Sequence, residues 1–387
     1  MYGIKGAKIY TMAGRLYEAG DILIQEDKII DVKEHIDFPR DTEVIQAHGK
    51  TVMPGIIDAH CHVGMWEDGM GFEGSDGNEM TDPVTPHLRA IDGINHRDRS
   101  FQEALSHGIT TAITGPGSAN VLGGQFAALK THGKRIEDML IKEPIAVKAA
   151  FGENPKKVYH DQQKAPSTRM ATAAILREAL IKAREYGEKL EQAKEDEDKR
   201  PERDLKMEIM LEVVKGNLPL KIHAHRADDI LTALRIVREF GLKATIDHCT
   251  EGHTIPEFLV EAGVGVILGP LLSERSKIEL KNMTFEAPGI LSRAGLKVAI
   301  MTDHPVIPIQ YLPVCAAIAV REGMDEMEAL KAITINAAEI VGLGHRLGSI
   351  EPGKDADIII MDGHPLEFLT RVEMVFVNGQ MAYKRGE

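Results

Sequence analysis

Two histidines one residue apart, His60 and His62, close the apolar run Val52-Met-Pro-Gly-Ile-Ile-Asp58. In an extended chain residues i and i+2 leave the same face, so both imidazoles project side by side from one strand end. Neutral imidazole is the commonest metal ligand, and two on one rigid strand make half of a metal site. Such pairs also occur on surfaces and in satisfied cores, so the rest of the chain has to decide. It supplies more ligand types at the ends of later apolar runs: Lys221-Ile-His223-Ala-His225, Ile246-Asp247-His248, and Val298-Ala-Ile-Met-Thr-Asp303-His304. Histidine and carboxylate donors suit zinc and related divalent ions, and an open coordination position leaves room for water. The pKa of such a water falls to about 7, which makes it a nucleophile at neutral pH. Asp303 can take its proton and pass it to a leaving nitrogen.

A bridging ligand is expected near Ala146-Val-Lys148-Ala-Ala-Phe-Gly-Glu153. Glu153 could ligate directly and is preferred. Lys148 could serve only if carboxylated, because an ammonium has no lone pair. Read without a metal, Glu153 is a capping carboxylate and Lys148 a snorkelling or salt-bridged side chain.

To bring these groups together, several strands must end at one mouth. Apolar runs at 52–58, 108–114, 121–129, 145–151, 218–224, 244–248, 264–269 and 296–302 read as strands, although 121–129 could equally be loop and helix. Helical stretches at 99–106, 228–240, 256–262 and 324–338 fall among them. Eight parallel strands alternating with helices make a (β/α)8, TIM-like barrel, with its chemistry at the C-terminal strand ends. Both termini have a different texture, of short alternating strands and polar turns, with Asn378-Gly379 as a hairpin turn. The expected α/β architecture is therefore a barrel over 53–344 and a small β-sandwich domain built from both chain termini, 1–52 and 345–387. Two insertions interrupt the barrel. Residues 64–96, rich in Gly, Asp and Glu, read as a lid or substrate loop. Residues 167–215 read as two charged helices broken near Arg200-Pro201, first a solvated surface pair and second a subunit contact.

Composition excludes several classes. A formal net charge of −13 over 387 residues argues against nucleic-acid or anionic-membrane surfaces, which need clustered basic groups. No apolar run approaches the roughly 20 residues of a membrane span, and the N-terminus lacks the apolar core of a secretory signal. Three cysteines, Cys61, Cys249 and Cys315, are too few for a disulfide framework. A reducing cytoplasm is the expected compartment. Cys61 and Cys249 adjoin proposed ligands but read as small packing residues.

Pro54-Gly55-x-x-Asp58-x-His60-x-His62, the strand-end His223 and His248, and the pair Thr302-Asp303 occur in one order along the chain. Asn336-Ala-Ala and the closing Gly348-Ser-Ile-Glu-Pro-Gly-Lys-Asp-Ala-Asp357-Ile follow them. This combination resembles the amidohydrolase superfamily, near its imidazolonepropionase-like and prolidase-like members, over nearly the whole chain. The resemblance implies a metal-dependent hydrolase with a deformed (β/α)8 barrel beside a β-sandwich. It implies His60, His62, His223 and His248 as ligands and Asp303 as ligand and general base. Two features depart from the pattern. The carboxylated lysine of two-metal members is not cleanly assigned, since Glu153 competes with Lys148. His225 and His304 are additional histidines that could bind substrate or stand in for a ligand.

The activity expected is cleavage of a C–N bond in a small amide, cyclic amide or dipeptide-like substrate by metal-bound hydroxide. The metal and His248 or His225 would stabilise the oxyanion, and Asp303 would shuttle the proton. Glycines in 115–125 would let backbone approach a ligand, with Asn120 or Gln125 reading an amide or carboxylate. Arg89, Arg169 and Arg275 are candidate carboxylate clamps, each more readily read as a surface residue. Two rival readings are a mononuclear-metal deaminase of a small heterocycle and a non-catalytic scaffold that kept the barrel. The expected cofactor is one or two divalent ions, zinc first, with Fe, Mn or Ni also accepting such donors. The expected partner is a small molecule, not nucleic acid or membrane, and a homo-oligomer is left open.

Overall fold

The computed structural model describes residues 1–67 and 70–386, so Asp68 and Gly69 of the expected 64–96 loop lie outside the described residues, as does Glu387. Five strands open the chain: β1 (Tyr2–Tyr10), β2 (Leu16–Gln25), β3 (Lys28–Lys33), β4 (Glu43–Gln46) and β5 (Thr51–Pro54). The barrel follows with β6 (Ile56–Cys61), β7 (Ile109–Thr114), β8 (Leu122–Lys130), β9 (Leu140–Ala150), β10 (Leu220–Ala224), β11 (Ala244–His248), β12 (Gly265–Leu268) and β13 (Val298–Ile300). Three strands close it: β14 (Ile358–Met361), β15 (Val372–Val377) and β16 (Gln380–Lys384).

The terminal strands form one sheet in the order β16-β15-β14-β5-β1-β2-β3, with β4 also on β1. β5 is where the two ends meet, parallel to β1 and antiparallel to β14. Neither terminal segment could pair its own edges, so each supplies the other's missing neighbour. Ile4, Ile9, Ile22, Ile358 and Phe376 pack into a core of their own under this sheet.

The eight barrel strands follow sequence order from β6 to β13. Seven share one direction, but β8 runs antiparallel to both β7 and β9. The expected all-parallel barrel is corrected here, and the cause is connection length. Only residues 115–121 separate β7 from β8, whereas a parallel return needs a crossover of about a dozen residues or more. Among the described residues no ladder joins β13 to β6. Other contacts bridge that seam. Thr302 donates to the Asp58 carboxylate from both its backbone N–H and its hydroxyl, the His62 N–H donates to the His304 carbonyl at 2.9 Å, and the helix Ile335–Ile340 packs against both strands. Ile57, Ala59, Phe126, Ile267 and Met301 fill the interior below the mouth.

The 167–215 insertion forms the helices Arg169–Gln192 and Leu205–Val214, packed on each other. No helix of the described residues is long and apolar enough to cross a membrane.

Reversing β8 puts its last residue, Lys130, at the end of the barrel away from the mouth. There its buried ammonium donates to Asp357 and lies 3.3 Å from Asp355. Asp355 also accepts from Lys28 at 2.6 Å and Arg346 at 2.8 Å. Burial alone would raise the Asp355 pKa, but Lys130 and the hydrogen bonds from Lys28 and Arg346 outweigh it and leave the pKa lowered. A depressed folded value means this stabilisation is complete above the ordinary carboxylate pKa. It is lost as pH falls through the folded one. Removing one partner of a buried ion pair costs more than the pair contributes, so Lys130→Met should lose about 3 kcal/mol at pH 7 in urea unfolding. Arg135→Ala, which breaks an exposed pair with Asp138, should leave the midpoint unchanged. Equal midpoints for the two variants would show that the cluster does not join sheet to barrel.

Candidate metal centre

The end of β6 is irregular: its register against β7 slips between Asp58 and Cys61. A bulge re-aims the side chains that follow it. Ala59 stays in the barrel interior, His60 also turns inward, and Cys61 faces the outer core with its thiol toward the Ile113 carbonyl. The imidazoles of His60 and His62 then sit edge to face with centroids 5.2 Å apart. Across the mouth, β10 delivers His223 and β11 delivers His248, with His225 just past the end of β10. Ring centroids are 4.2 Å apart for His223 and His248, and 4.6 Å for each of them with His225.

Two groups of three could each hold a metal ion, with donor atoms all within 4.8 Å of one another: His60, His62 and Asp303; and His223, His225 and His248. Lys148, with no exposed surface, places Nζ 3.2 Å from His60 Nε2. Two candidate residues have backbone φ in the left-handed region, His248 at 70° and Asp303 at 54°, as does Cys249 beside His248 at 51°. Non-glycine residues rarely sit there, and when they do they cluster at functional sites.

Hydrogen bonds behind the rings fix which nitrogen faces the centre. His60 Nδ1 lies 2.6 Å from Asp247 Oδ2, His62 Nδ1 2.6 Å from the Gly115 carbonyl, and His248 Nδ1 3.1 Å from the Gly269 carbonyl. These oxygens only accept, so each Nδ1 carries the proton and each Nε2 a lone pair. Asp303 Oδ1 lies 3.2 Å from His62 Nε2 and 3.5 Å from His60 Nε2. Three acceptors thus converge; His60 Nε2 is also within hydrogen-bond distance of Lys148 Nζ, and Asp303 Oδ1 is buried without a hydrogen bond among the described residues. His223 Nδ1 is likewise buried and unpartnered. Buried polar atoms are almost always satisfied, and a cation is what satisfies converging lone pairs. The residues fit a divalent metal.

Electrostatics agree with neutral donors around a positive charge. Burial lowers the His60, His223 and His248 pKa values, and lowers that of His225 to about 3. Burial also lowers the Lys148 amine to about 8. It works against the charge of Asp303, but the neighbouring His248 contributes to holding that carboxylate well below its ordinary range.

Beneath the rings is a layer that the sequence reading did not assign a role. Asp247, fully buried, accepts from His60, from Lys221 Nζ at 3.0 Å and from the Thr245 hydroxyl at 2.6 Å. Lys221 Nζ also donates to the Ala59 carbonyl at 3.0 Å. Phe126 lies under His60 with centroids 5.3 Å apart, and the ammonium groups of Lys148 and Lys221 are each 5.5 Å from its ring. Period-two alternation, which puts Lys221 on the face of His223 and His225, was the available signal.

Other expected residues lie elsewhere. Glu153 belongs to neither group: it opens the helix Glu153–Asp161, and its N–H donates to Glu279 at 2.9 Å. Asn120 donates to the Glu79 carbonyl and the Thr85 hydroxyl and accepts from Tyr159, while Gln125 donates to the Pro86 carbonyl. Their amides tie the 64–96 loop to β8. His304 accepts through Nδ1 from the Ile309 N–H. His62, His223, His225, His248 and Asp303 line a cavity of about 320 Å³ walled by Trp66, and Asn120, Gln125, Glu153 and His304 do not line it.

The sequence profile of the amidohydrolase family matches residues 51–382. Amidohydrolase tasK of Hapsidospora irregularis is 28% identical over 93% of this chain, which spans only 39% of that longer protein. Imidazolonepropionase of Geobacillus kaustophilus is 28% identical over 90% of this chain and 84% of its own. The crystal structure of an amidohydrolase from Thermotoga maritima superposes with a TM-score of 0.97 at 43% identity, covering all of both chains. With these matches over the barrel and its mouth, the chain belongs to the amidohydrolase family of hydrolases.

Proposed function

We propose that this enzyme hydrolyses a C–N bond of a small amide, cyclic amide or dipeptide-like substrate at a centre of two divalent ions, zinc first. The observation that carries this reading is the convergence of three acceptors, His60 Nε2, His62 Nε2 and Asp303 Oδ1, beside Lys148. One ion would be held by His60, His62 and Asp303, the other by His223 and His248. Of the two candidates at the end of β9, geometry favours Lys148 over Glu153, because Lys148 reaches His60 and Glu153 joins neither group. Carbon dioxide adding to the neutral Lys148 amine, with loss of a proton, would give a carbamate whose oxygens could help hold the ions, and this favours the hydrolase over a one-ion deaminase. Bound there, divalent ions lower the pKa of a water and polarise a carbonyl oxygen.

The remaining chemistry belongs to the chain. Asp303, a carboxylate on the cavity wall, takes the water's proton and returns it to the leaving nitrogen. His225 Nδ1 is 2.7 Å from the Thr250 hydroxyl. With that hydroxyl donating, Nε2 carries a proton to give to the carbonyl oxygen. His248, whose Nδ1 proton is held by Gly269, is left as a ligand. Likeness to imidazolonepropionase over 90% of the chain supports a cyclic amide within the substrate range. We assign a reducing cytoplasm, supported by three buried, unpaired cysteines.

Asp303→Asn should keep its metal and lower kcat about 10³-fold in an amine-release assay. Turnover within a few-fold of the parent would remove Asp303 from its role. Asp247→Asn takes away no proposed ligand but frees His60 to rotate, so metal affinity should fall about 10- to 100-fold in chelator competition. Unchanged affinity in a folded variant would mean that the buried layer does not orient the ligand.

A further inference from the structure

The cavity at the candidate centre contains two formally charged side chains of opposite sign. Asp303 lies at the centre, and Lys277 enters from the loop after β12. Lys277 Nζ donates to Asn154 Oδ1 at 2.7 Å. Asn154 in turn reaches the Ser118 hydroxyl at 2.7 Å and lies 3.4 Å from His223 Nε2. One amide side chain therefore spans the distance between the ammonium and the histidine group. An ammonium has three donors, and Asn154 takes one. Among the described residues no carboxylate lies within ion-pair distance of Lys277. The nearby Glu279 accepts the Glu153 N–H at 2.9 Å and has its other oxygen 3.7 Å from His225.

The arginines that could have competed for this task are engaged elsewhere. Arg89 makes a two-pronged pair with Glu143, Arg169 pairs with Asp229, and Arg275 donates to the Met283 carbonyl. None of the three lines the cavity, and Lys277 is its one Lys or Arg among the described residues. Trp66, Leu280, Pro270 and Val306 supply the larger apolar side chains of the lining.

We propose that Lys277 is a specificity-determining residue that holds a carboxylate of the substrate, so that the enzyme acts on small amides carrying an acid group a few bonds from the scissile C–N bond. The cleavage step rests on the hydrolase reading above; the anion subsite does not. A cation in a small cavity partly screened from solvent attracts an anion more strongly than one on an open surface. Its placement one side chain from the histidines fixes which end of the substrate faces Asp303.

Trp66 is the only tryptophan of the chain, and it packs on the His62 ring at 4.9 Å. Its fluorescence therefore reports binding without turnover. The probes are N-acetylglycine, N-acetyl-β-alanine and N-acetyl-4-aminobutyrate, each against its primary amide, titrated into the purified enzyme at fixed ionic strength. At least one acid should bind the parent about tenfold more tightly than its amide, the size expected for one charge-assisted hydrogen bond. Lys277→Met should reduce that preference to within about twofold without weakening the amide, and Lys277→Arg should restore most of it. Acids binding the parent no better than amides would overturn the subsite, as would a preference that survives in Lys277→Met. Amine release from the same mixtures tests hydrolysis separately. A Lys277-dependent acid preference without release supports the subsite and counts against the hydrolase reading alone.

Discussion

A carboxylate with no exposed surface, Asp247, is what the mouth of this barrel is built upon. Burial of an uncompensated charge costs several kcal/mol. Asp247 is ionised because Lys221, then His60, outweigh the effect of its burial and hold its pKa far below the ordinary range. Strand register makes the arrangement possible. β10 pairs with β11 so that His223 lies opposite Asp247, and with β9 so that Lys221 lies opposite Lys148. The charged residues thus form a layer under the imidazoles, on the Phe126 ring. Asp247 fixes the His60 proton on Nδ1, and that choice turns the Nε2 lone pair toward Lys148 and Asp303.

The same layer explains why so many imidazoles can share a small volume. Buried rings in contact cannot all become charged, and burial lowers the pKa values of His60, His223, His225 and His248. Three of the rings, His60, His62 and His248, have their outer nitrogens held by a carboxylate or carbonyl and so turn lone pairs toward the centre, which is repulsive until a cation arrives. The left-handed backbone at His248 and Asp303 belongs to the same economy: local strain is tolerated where a function demands a particular direction of the side chain. The terminal sheet is tied on by a different buried charge, Lys130, at the far end of the one reversed strand.

Much of this was legible in the chain itself. Period two put His60 and His62 together, the apolar runs marked eight barrel strands, and Asn378-Gly379 does turn between β15 and β16, both with positive φ. The reversal of β8 was visible in principle in the short span 115–121, but an apolar run carries no direction. Asp247 and His60 lie 187 residues apart, and no local pattern reveals a partner at that separation. Glu153 looked the better ligand because a carboxylate is ready-made, whereas the structure seats it in a helical turn and brings Lys148 to His60. Asn120 and Gln125 read as amide readers in sequence, and in the fold their amides donate to Glu79, Thr85 and Pro86 of the 64–96 loop. Lys277 carried no local signal, since a lysine in a polar loop reads as solvated until the fold turns it inward.

Elemental analysis of the purified protein by inductively coupled plasma mass spectrometry tests the account at its root. The account predicts close to two equivalents of divalent metal per chain, falling toward one when Lys148 is replaced by Ala. A folded protein that binds no divalent metal, even after incubation with zinc and bicarbonate, would contradict it, because the converging lone pairs of His60, His62 and Asp303 would then need another explanation.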